Sequence, residues 1–270
     1  MLNEKGSWNH LFIQSDKHSS PIYGNLYSNF KGYWRAKMRF GLIVPSSNVV
    51  MEAEFWRMAW RWATVHTSRM RLKDITVRAL EEMEKHLLEA ANRLADAGVD
   101  IIGYGCTSGS LFKGKDHPGE IVQNIEKETG IPAVATSNAV IEALDALGIK
   151  KICIATPYIE EINELEHRFL EQNGKEVLRI KGLGIIRNRE VGNKEPGAAY
   201  ELAREVFVPE AQGIFISCTN FRTIEVIGRL EEELKVPVLS SNTATFWAMM
   251  KKAGVKKRLE GFGRLFSSMI

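Results

Sequence analysis

The sequence predicts an α/β protein of two pseudo-symmetric, Rossmann-like lobes, each a parallel sheet flanked by helices, with the active site in the cleft between them. Three observations lead to this fold class. Short apolar segments alternate with amphipathic helical ones, the motifs that end the strands occur twice, and the two copies keep the same spacing. Alternating apolar strands and helices are typical of parallel sheets that helices cover on both faces.

Eight segments have the length expected of strands, and most of them are apolar. They are 40–44, 63–66, 99–105, 133–135, 151–155, 176–182, 213–217 and 238–239. The clearest helical pattern runs from Val77 to Ala97 and ends at Gly98. Its apolar stripe consists of Leu80, Met83, Leu87, Ala91 and Leu94. We expect similar helices between the other strands.

An internal repeat divides the chain into two lobes. A strand ends in proline at Pro45 and again at Pro157, and another strand ends in Cys-Thr at Cys106 and again at Cys218. Each proline precedes its cysteine by 61 positions. We therefore expect a first lobe over 39–148, a second over 149–258 and a C-terminal segment over 259–270. The last helix of each lobe is a candidate to cross onto the other lobe.

Residues 1–38 differ from the rest of the chain. They show no hydrophobic period of 2 or 3.6, so we expect a poorly ordered extension. They also carry five basic and two acidic residues, which accounts for the formal charge of +3 and leaves the remainder neutral. A neutral body lacks the basic footprint of a nucleic-acid-binding protein. No apolar run approaches the roughly 20 residues of a membrane span, and no secretory signal is recognisable, so we expect a cytoplasmic protein.

Three cysteines are present, at positions 106, 153 and 218, without the spacing of a metal site or a disulfide scaffold. Gly103-Tyr104-Gly105 lacks the third glycine of a dinucleotide-binding fingerprint. The sequence therefore predicts neither a metal nor a cofactor. We interpret Cys153 as a core residue, because it lies inside the apolar run 152–155.

Cys106 and Cys218 are the candidate catalytic residues. Ligands of open α/β sheets bind beyond the carboxyl ends of the strands, and both cysteines follow such ends at equivalent places of the repeat. Two thiols facing one carbon can move protons on opposite faces, or one can attack while the other handles the proton. Nearby hydroxyls are candidates to stabilise a thiolate or bind a carboxylate, namely those of Thr107, Ser108 and Thr219.

The two cysteines have different neighbours. Cys106 leads into the small polar run Thr107–Ser110, whereas Cys218 leads through Thr219-Asn220 into Phe221-Arg222. Converging N–H donors stabilise a thiolate, so we expect the first environment to lower the pKa of its thiol more effectively. This assigns Cys106 as the nucleophile and Cys218 as its partner.

Four segments resemble those of maleate cis-trans isomerases, within the aspartate/glutamate racemase superfamily. They are 39–52 (RFGLIVPSSNVVME), 65–70 (VHTSRM), 106–110 (CTSGS) and 217–220 (SCTN). The resemblance implies cofactor-independent isomerisation of a small unsaturated dicarboxylate, in which Cys106 adds to the double bond and Cys218 assists. At matching motifs, Asn48, Tyr158 and Asn188 would hold the substrate carboxylates. We also expect a homodimer or higher homo-oligomer.

Other functions stay open at this point. Arylmalonate decarboxylases resemble the chain but lack the first cysteine. Aspartate and glutamate racemases have both cysteines, usually followed by Asn-Thr and Thr-Glu, whereas this chain has Thr-Ser after Cys106 and Thr-Asn after Cys218. The pattern favours the isomerase over a two-cysteine racemase of aspartate or a related carbon acid. The alternative of another class is a non-catalytic module that binds dicarboxylates or senses redox state.

Overall fold

A computed structural model describes residues 38–268. This part of the chain contains two four-stranded sheets, and all the strand pairs in them are parallel. The first sheet has the order β2-β1-β3-β4 and the second the order β6-β5-β7-β8. The strands are β1 Met38–Pro45, β2 Ala63–Met70, β3 Ile101–Tyr104, β4 Ala133–Ala135, β5 Lys151–Thr156, β6 Glu176–Gly182, β7 Gly213–Ile216 and β8 Val238–Ser240. The predicted fold class, two parallel sheets flanked by helices, is confirmed.

Helices connect the strands. Those of the first half are α1 Met51–Met58, α2 Val77–Glu84, α3 Leu87–Asp96, α4 Thr107–Leu111, α5 His117–Thr129 and α6 Thr136–Ala146. Those of the second half are α7 Glu160–Gln172, α8 Asn188–Gly192, α9 Pro196–Val206, α10 Ile227–Leu234 and α11 Ser241–Lys252. A 3₁₀ helix, Arg264–Ser268, follows. In the described residues, no helix is both long and apolar enough to cross a bilayer.

The prediction of one helix from Val77 to Ala97 was wrong, since α2 ends at Glu84 and α3 begins at Leu87. At the break, the His86 N–H donates to the Met83 carbonyl three residues back, 3.1 Å away, so the i−4 ladder is interrupted. The apolar stripe stays buried on both sides of the break. The hydrophobic period therefore continues across a break in the helix that the period does not predict.

The two halves interlock through α11. This helix follows β8 of the second sheet but packs on β3, β4 and α6 of the first half. Its Phe246 ring lies 5.2 Å from Phe40 on β1 and 4.9 Å from Phe55 on α1, measured between ring centroids. Likewise, α4 of the first half packs against α7 of the second. This exchange brings the carboxyl ends of both sheets to one buried interface.

The structure adds detail at the two ends of the folded part of the chain. Met38 is the first residue of β1, and residues 1–37 of the predicted extension lie outside the described residues. In the C-terminal segment, Leu265 and Phe266 are buried, and Phe266 lies 6.3 Å from Phe246 between ring centroids. This segment therefore covers α11 from the outside.

Candidate active site

Cys106 and Cys218 lie just beyond the carboxyl ends of β3 and β7, the corresponding strands of the two sheets. Both are buried, with 4% and 5% of their surface exposed. The Thr219 hydroxyl donates to the Gly105 carbonyl over 3.0 Å and so joins the two strand ends directly. The third cysteine, Cys153, is fully buried within β5, as expected for a core residue.

Cys106 occupies the N-cap position of α4 with an extended backbone. The Gly109 N–H donates to its Sγ over 3.3 Å, and Ser108 Oγ lies 3.8 Å from the same sulfur. A Cβ at Gly109 would stand 2.9 Å from that sulfur and 2.8 Å from the Tyr104 hydroxyl. Position 109 must be glycine for the backbone donor to approach the sulfur this closely.

Cys218 has a left-handed backbone, with φ of 88°. A non-glycine residue in this region costs about 1 kcal/mol or more unless its surroundings hold it there. The Cys218 N–H donates to Ser241 Oγ over 3.0 Å, and the Phe221 N–H donates to the Cys218 carbonyl over 3.1 Å. The Asn220 N–H lies 3.4 Å from the sulfur. Backbone strain of this kind is found most often at functional sites, where it sets the direction of a side chain.

Burial dominates the chemistry of both thiols. It raises the pKa of Cys106 to about 11, against the lowering effects of the Gly109 N–H and the Ser108 hydroxyl. It raises the pKa of Cys218 to about 12, against the Asn220 N–H and the Tyr158 hydroxyl. Neither pKa is lowered below its usual value, because the loss of hydration outweighs the predicted donors, but the pKa of Cys106 is raised less than that of Cys218, in the order that their neighbours predict. Both groups are thiols at neutral pH in this state.

Tyr158, in the loop after β5, interacts with both cysteines. It is buried, and its hydroxyl hydrogen-bonds the Cys218 sulfur. Burial raises the pKa of Tyr158 well above its usual value, and negative charge on Cys218 or Cys106 raises it further. Its phenol is therefore a neutral donor that responds to charge on either sulfur.

The predicted polar residues meet at the same interface, but several already have partners. Asn48 Oδ1 accepts from the Val50 and Met51 N–H groups, 3.0 Å each, and so caps α1. Asn48 Nδ2 donates to Thr219 Oγ1 over 3.0 Å. Thr107 Oγ1 donates to Ser241 Oγ over 2.8 Å, and that same oxygen receives the Cys218 N–H. These side chains therefore form hydrogen bonds between the two lobes, and they also surround the cysteines.

Asn188 begins α8 and is buried. Its Nδ2 donates to Ser47 Oγ over 2.9 Å, and its N–H donates to the Lys73 carbonyl over 2.9 Å. Asn220 Nδ2 donates to the Asn188 carbonyl over 2.7 Å. All six predicted polar residues are therefore buried at the interface of the two cysteine-bearing strand ends.

Sequence reasoning missed Ser47, Asn220 and Ser241. Ser241 had a signal, because Ser241-Asn242 echoes Ser137-Asn138 in the internal repeat. Ser47 and Asn220 stood inside the segments used for the family resemblance without being assigned a role. Their contacts depend on the opposite lobe, which a single motif does not reveal.

A buried carboxyl, Glu54 on α1, was also missed. It is 3% exposed and accepts the N–H groups of Thr223 and Ile224 over 2.7 and 3.2 Å and the Asn242 amide over 2.7 Å. All these donors belong to the second half of the chain. Burial raises the pKa of Glu54 to about 7, against these hydrogen bonds. Glu54 thus joins the lobes beside the site.

A second buried carboxyl, Glu166 on α7, is 1% exposed. The hydroxyl of Ser217, the residue before Cys218, donates to Glu166 Oε1 over 2.6 Å. Burial raises the pKa of Glu166 to about 8. Neither buried glutamate differs in the sequence from the solvated acids that share its helix.

The two buried carboxyls make stability depend on pH. Their pKa values rise from 4.5 to about 7 and about 8, so between these limits the folded state keeps protons that the unfolded state releases. The free energy of unfolding therefore falls as pH rises from 4.5 to 8. His117, whose pKa burial lowers, opposes this trend only below pH 6.5.

Urea unfolding of the wild type and of Glu166→Gln from pH 6.5 to 8.5 tests this dependence. The free energy of unfolding should decrease less steeply with pH in the variant than in the wild type. Equal slopes would contradict the assignment.

Comparison with known proteins places this arrangement in a family. A family model described as arylmalonate decarboxylase matches residues 40–266. The chain is 28% identical over 243 residues to the maleate isomerase of Geobacillus stearothermophilus, covering 85% of this chain and 97% of that protein. It is also 28% identical over 229 residues to the arylmalonate decarboxylase of Bordetella bronchiseptica, covering 84% and 95%.

A solved structure gives the same result. A crystal structure of the maleate isomerase Iso from Pseudomonas putida S16, a cysteine-to-alanine variant with maleate, matches with a TM-score of 0.83 and 28% identity. The match covers 85% of this chain and 97% of that chain. Since the family match from 40 to 266 includes the carboxyl ends of both sheets and both site cysteines, this chain belongs to the arylmalonate decarboxylase family.

Proposed function

We propose that this protein is a cofactor-independent maleate cis-trans isomerase that acts by covalent addition of a cysteine, bond rotation and elimination. The observation that carries the proposal is the pair of buried thiols, Cys106 and Cys218, at equivalent strand ends on either side of one interface. The maleate isomerases among its relatives and structural neighbours support the same activity. Arylmalonate decarboxylases resemble the chain but lack the first cysteine, so Cys106 favours the isomerase.

The proposed reaction begins when the interface opens and water rehydrates the site, because hydration lowers the pKa of Cys106 and its thiol can then release a proton to solvent, which leaves the sulfur as a thiolate. A carbon–sulfur bond forms at one alkene carbon of maleate, and the π electron pair moves to the other carbon and its carboxylate. The former double bond is now single, so rotation about it is fast. Elimination breaks the carbon–sulfur bond, re-forms the double bond in the trans geometry and returns the thiolate. Cys218 supplies or removes the proton at the neighbouring carbon.

The polar residues around the thiols stabilise the charge that develops. The proposed ligands of the two substrate carboxylates are six polar residues: Thr107 and Ser108 at the start of α4, Asn48, Tyr158, Asn188 and Thr219. Tyr158 carries the most direct physical argument, because its neutral hydroxyl already donates to a site sulfur. Preorganised neutral donors in a water-poor site stabilise a developing carboxylate charge strongly.

Substrate entry requires the interface to open. Segments of the two halves pair across it, with the Ile75 N–H donating to the Ile186 carbonyl over 2.8 Å and an antiparallel bridge between Asp74 and Arg187. Both thiols are nearly inaccessible in this closed state. An entering dianion would replace some of the hydrogen bonds that these polar groups now make with one another.

A proton NMR assay with maleate tests the function. The expected result is conversion of the maleate alkene signal into that of fumarate, without added metal or cofactor and after dialysis against a chelator. Aspartate incubated in deuterated water with the same protein should keep its α-proton. Exchange of that proton for deuterium, without turnover of maleate, would show that the protein is a racemase and not an isomerase. The proposed homodimer would be tested on the same sample by light scattering.

A further inference from the structure

Glu166 is a carboxyl that the proposed reaction does not use. It stands on the buried face of α7 beside Ile162, Phe169 and Leu170, where helical periodicity favours an apolar side chain. Its Oε2 has no hydrogen-bond partner among residues 38–268. A buried carboxylate oxygen without a donor is costly, so this geometry favours the neutral acid.

The surroundings of Glu166 connect it to both cysteine-bearing strand ends. Its side chain lines a narrow gap, with no room for a water molecule, together with Thr107, the residue after Cys106, and Ser137, whose Oγ also has no hydrogen-bond partner among the described residues. The rest of the lining is apolar, with contributions from α4, α6, α7 and β7. Among residues 38–268, no basic side chain lines this gap to compensate a negative charge.

Ser217 connects Glu166 to Cys218. Its hydroxyl donates to Glu166 Oε1, and its N–H donates to the Ala155 carbonyl over 2.8 Å. Ser217 is therefore fixed from two sides immediately before the left-handed backbone of Cys218. The titratable groups that face Glu166 are Cys218 at the end of β7 and Tyr158 in the loop before α7.

We propose that Glu166 is a positioning residue of the active site, which as a neutral acid fixes Ser217 and the strained backbone of Cys218, and as an anion opposes negative charge on the Cys218 sulfur. The raised pKa of Glu166, about 8, means that the change from one form to the other falls just above neutral pH. Negative charge on Glu166 raises the pKa of Cys218, which makes this thiol a weaker proton donor. The part of the inference that concerns turnover rests on the proposed function.

Alkylation of Cys218 by iodoacetamide, followed by peptide mass spectrometry from pH 7 to pH 9.5, tests the electrostatic part without any substrate. The comparison is between the wild type and Glu166→Gln, which keeps the acceptor for Ser217 but cannot ionise. The rates should be equal at pH 7. At pH 9.5 the variant should react about fivefold faster, because the anion is absent. Glu164→Gln, an exposed change of the same charge on α7, should follow the wild type.

Coincident alkylation profiles of the wild type and Glu166→Gln would overturn the inference. The positioning part is tested by kcat and KM for maleate at pH 7. Glu166→Leu should lower kcat about tenfold with little change in KM, and Glu166→Gln should restore it, because only glutamine can accept the Ser217 hydroxyl. Ser217→Ala should lower kcat similarly, and an unchanged kcat in Glu166→Leu and Ser217→Ala would also overturn the inference. If the wild type were inactive on maleate, the proposed function would be refuted, but the alkylation experiment would still test the electrostatic part of the inference.

Discussion

Replacement of Cys106 by serine is expected to lower turnover of maleate by at least about 10³-fold, because the nucleophile is lost. A serine hydroxyl in this buried position has a much higher pKa than a thiol and does not form the anion that adds to an alkene. The fold should remain intact, since Oγ can still accept the Gly109 N–H that now reaches Sγ. The measurement is the initial rate of fumarate formation by proton NMR, with the melting temperature as a check on folding.

The matched control is Cys153→Ser, the same substitution at a cysteine that is buried in β5. It should keep turnover within about twofold while costing some stability, because a hydroxyl replaces a small apolar group in the core. If Cys106→Ser retained more than a tenth of the wild-type rate, Cys106 would not be the nucleophile. An equal loss of activity in both variants would point to a general effect on the fold.

Replacement of Glu54 by alanine is expected to lower the free energy of unfolding by about 3 kcal/mol or more, the largest stability effect that we predict. The two backbone N–H groups and the amide that it now receives would be left buried without an acceptor. Each orphaned donor costs about 1–3 kcal/mol. Urea unfolding at pH 7 measures the difference between variant and wild type.

Glu225→Ala is the control for Glu54→Ala. Glu225 also connects the two halves, through a surface ion pair with Arg57 on α1 at 2.6 Å, but 31% of its side chain is exposed. Pairs of this kind contribute about 0–1 kcal/mol, so its loss should be small. A Glu54→Ala protein as stable as Glu225→Ala would show that the buried carboxyl does not hold the lobes together.

The fold and the place of the two thiols followed from the sequence because both depend on local signals. All eight strands were predicted, most of them because a short apolar run meets a boundary residue such as Pro45 or Gly98. The equal spacing of Cys106 and Cys218 from their prolines indicated equivalent strand ends. Where strands end in a parallel sheet is a local property, and the repeat supplies the relation between the two copies.

What the sequence did not reveal depends on packing between segments that are distant in the chain. Glu54 and Glu166 occur in helices rich in acids, and only the packed structure distinguishes these two from solvated neighbours. The net rise of the Cys106 pKa was not predicted, for a related reason. Motif residues identify the donors around the sulfur, whereas its loss of hydration comes from segments distant in the chain.

Intact-protein mass spectrometry of Cys218→Ser after incubation with maleate tests the central claim most directly. If Cys106 adds to the alkene and Cys218 handles the proton, this variant should gain the mass of one substrate equivalent. Peptide mapping should place that mass on Cys106, and Cys106→Ser should gain none. An adduct on Cys218 in the Cys106→Ser protein, with none in the Cys218→Ser protein, would reverse the roles of the two thiols. The absence of any adduct in either variant would contradict covalent catalysis by Cys106.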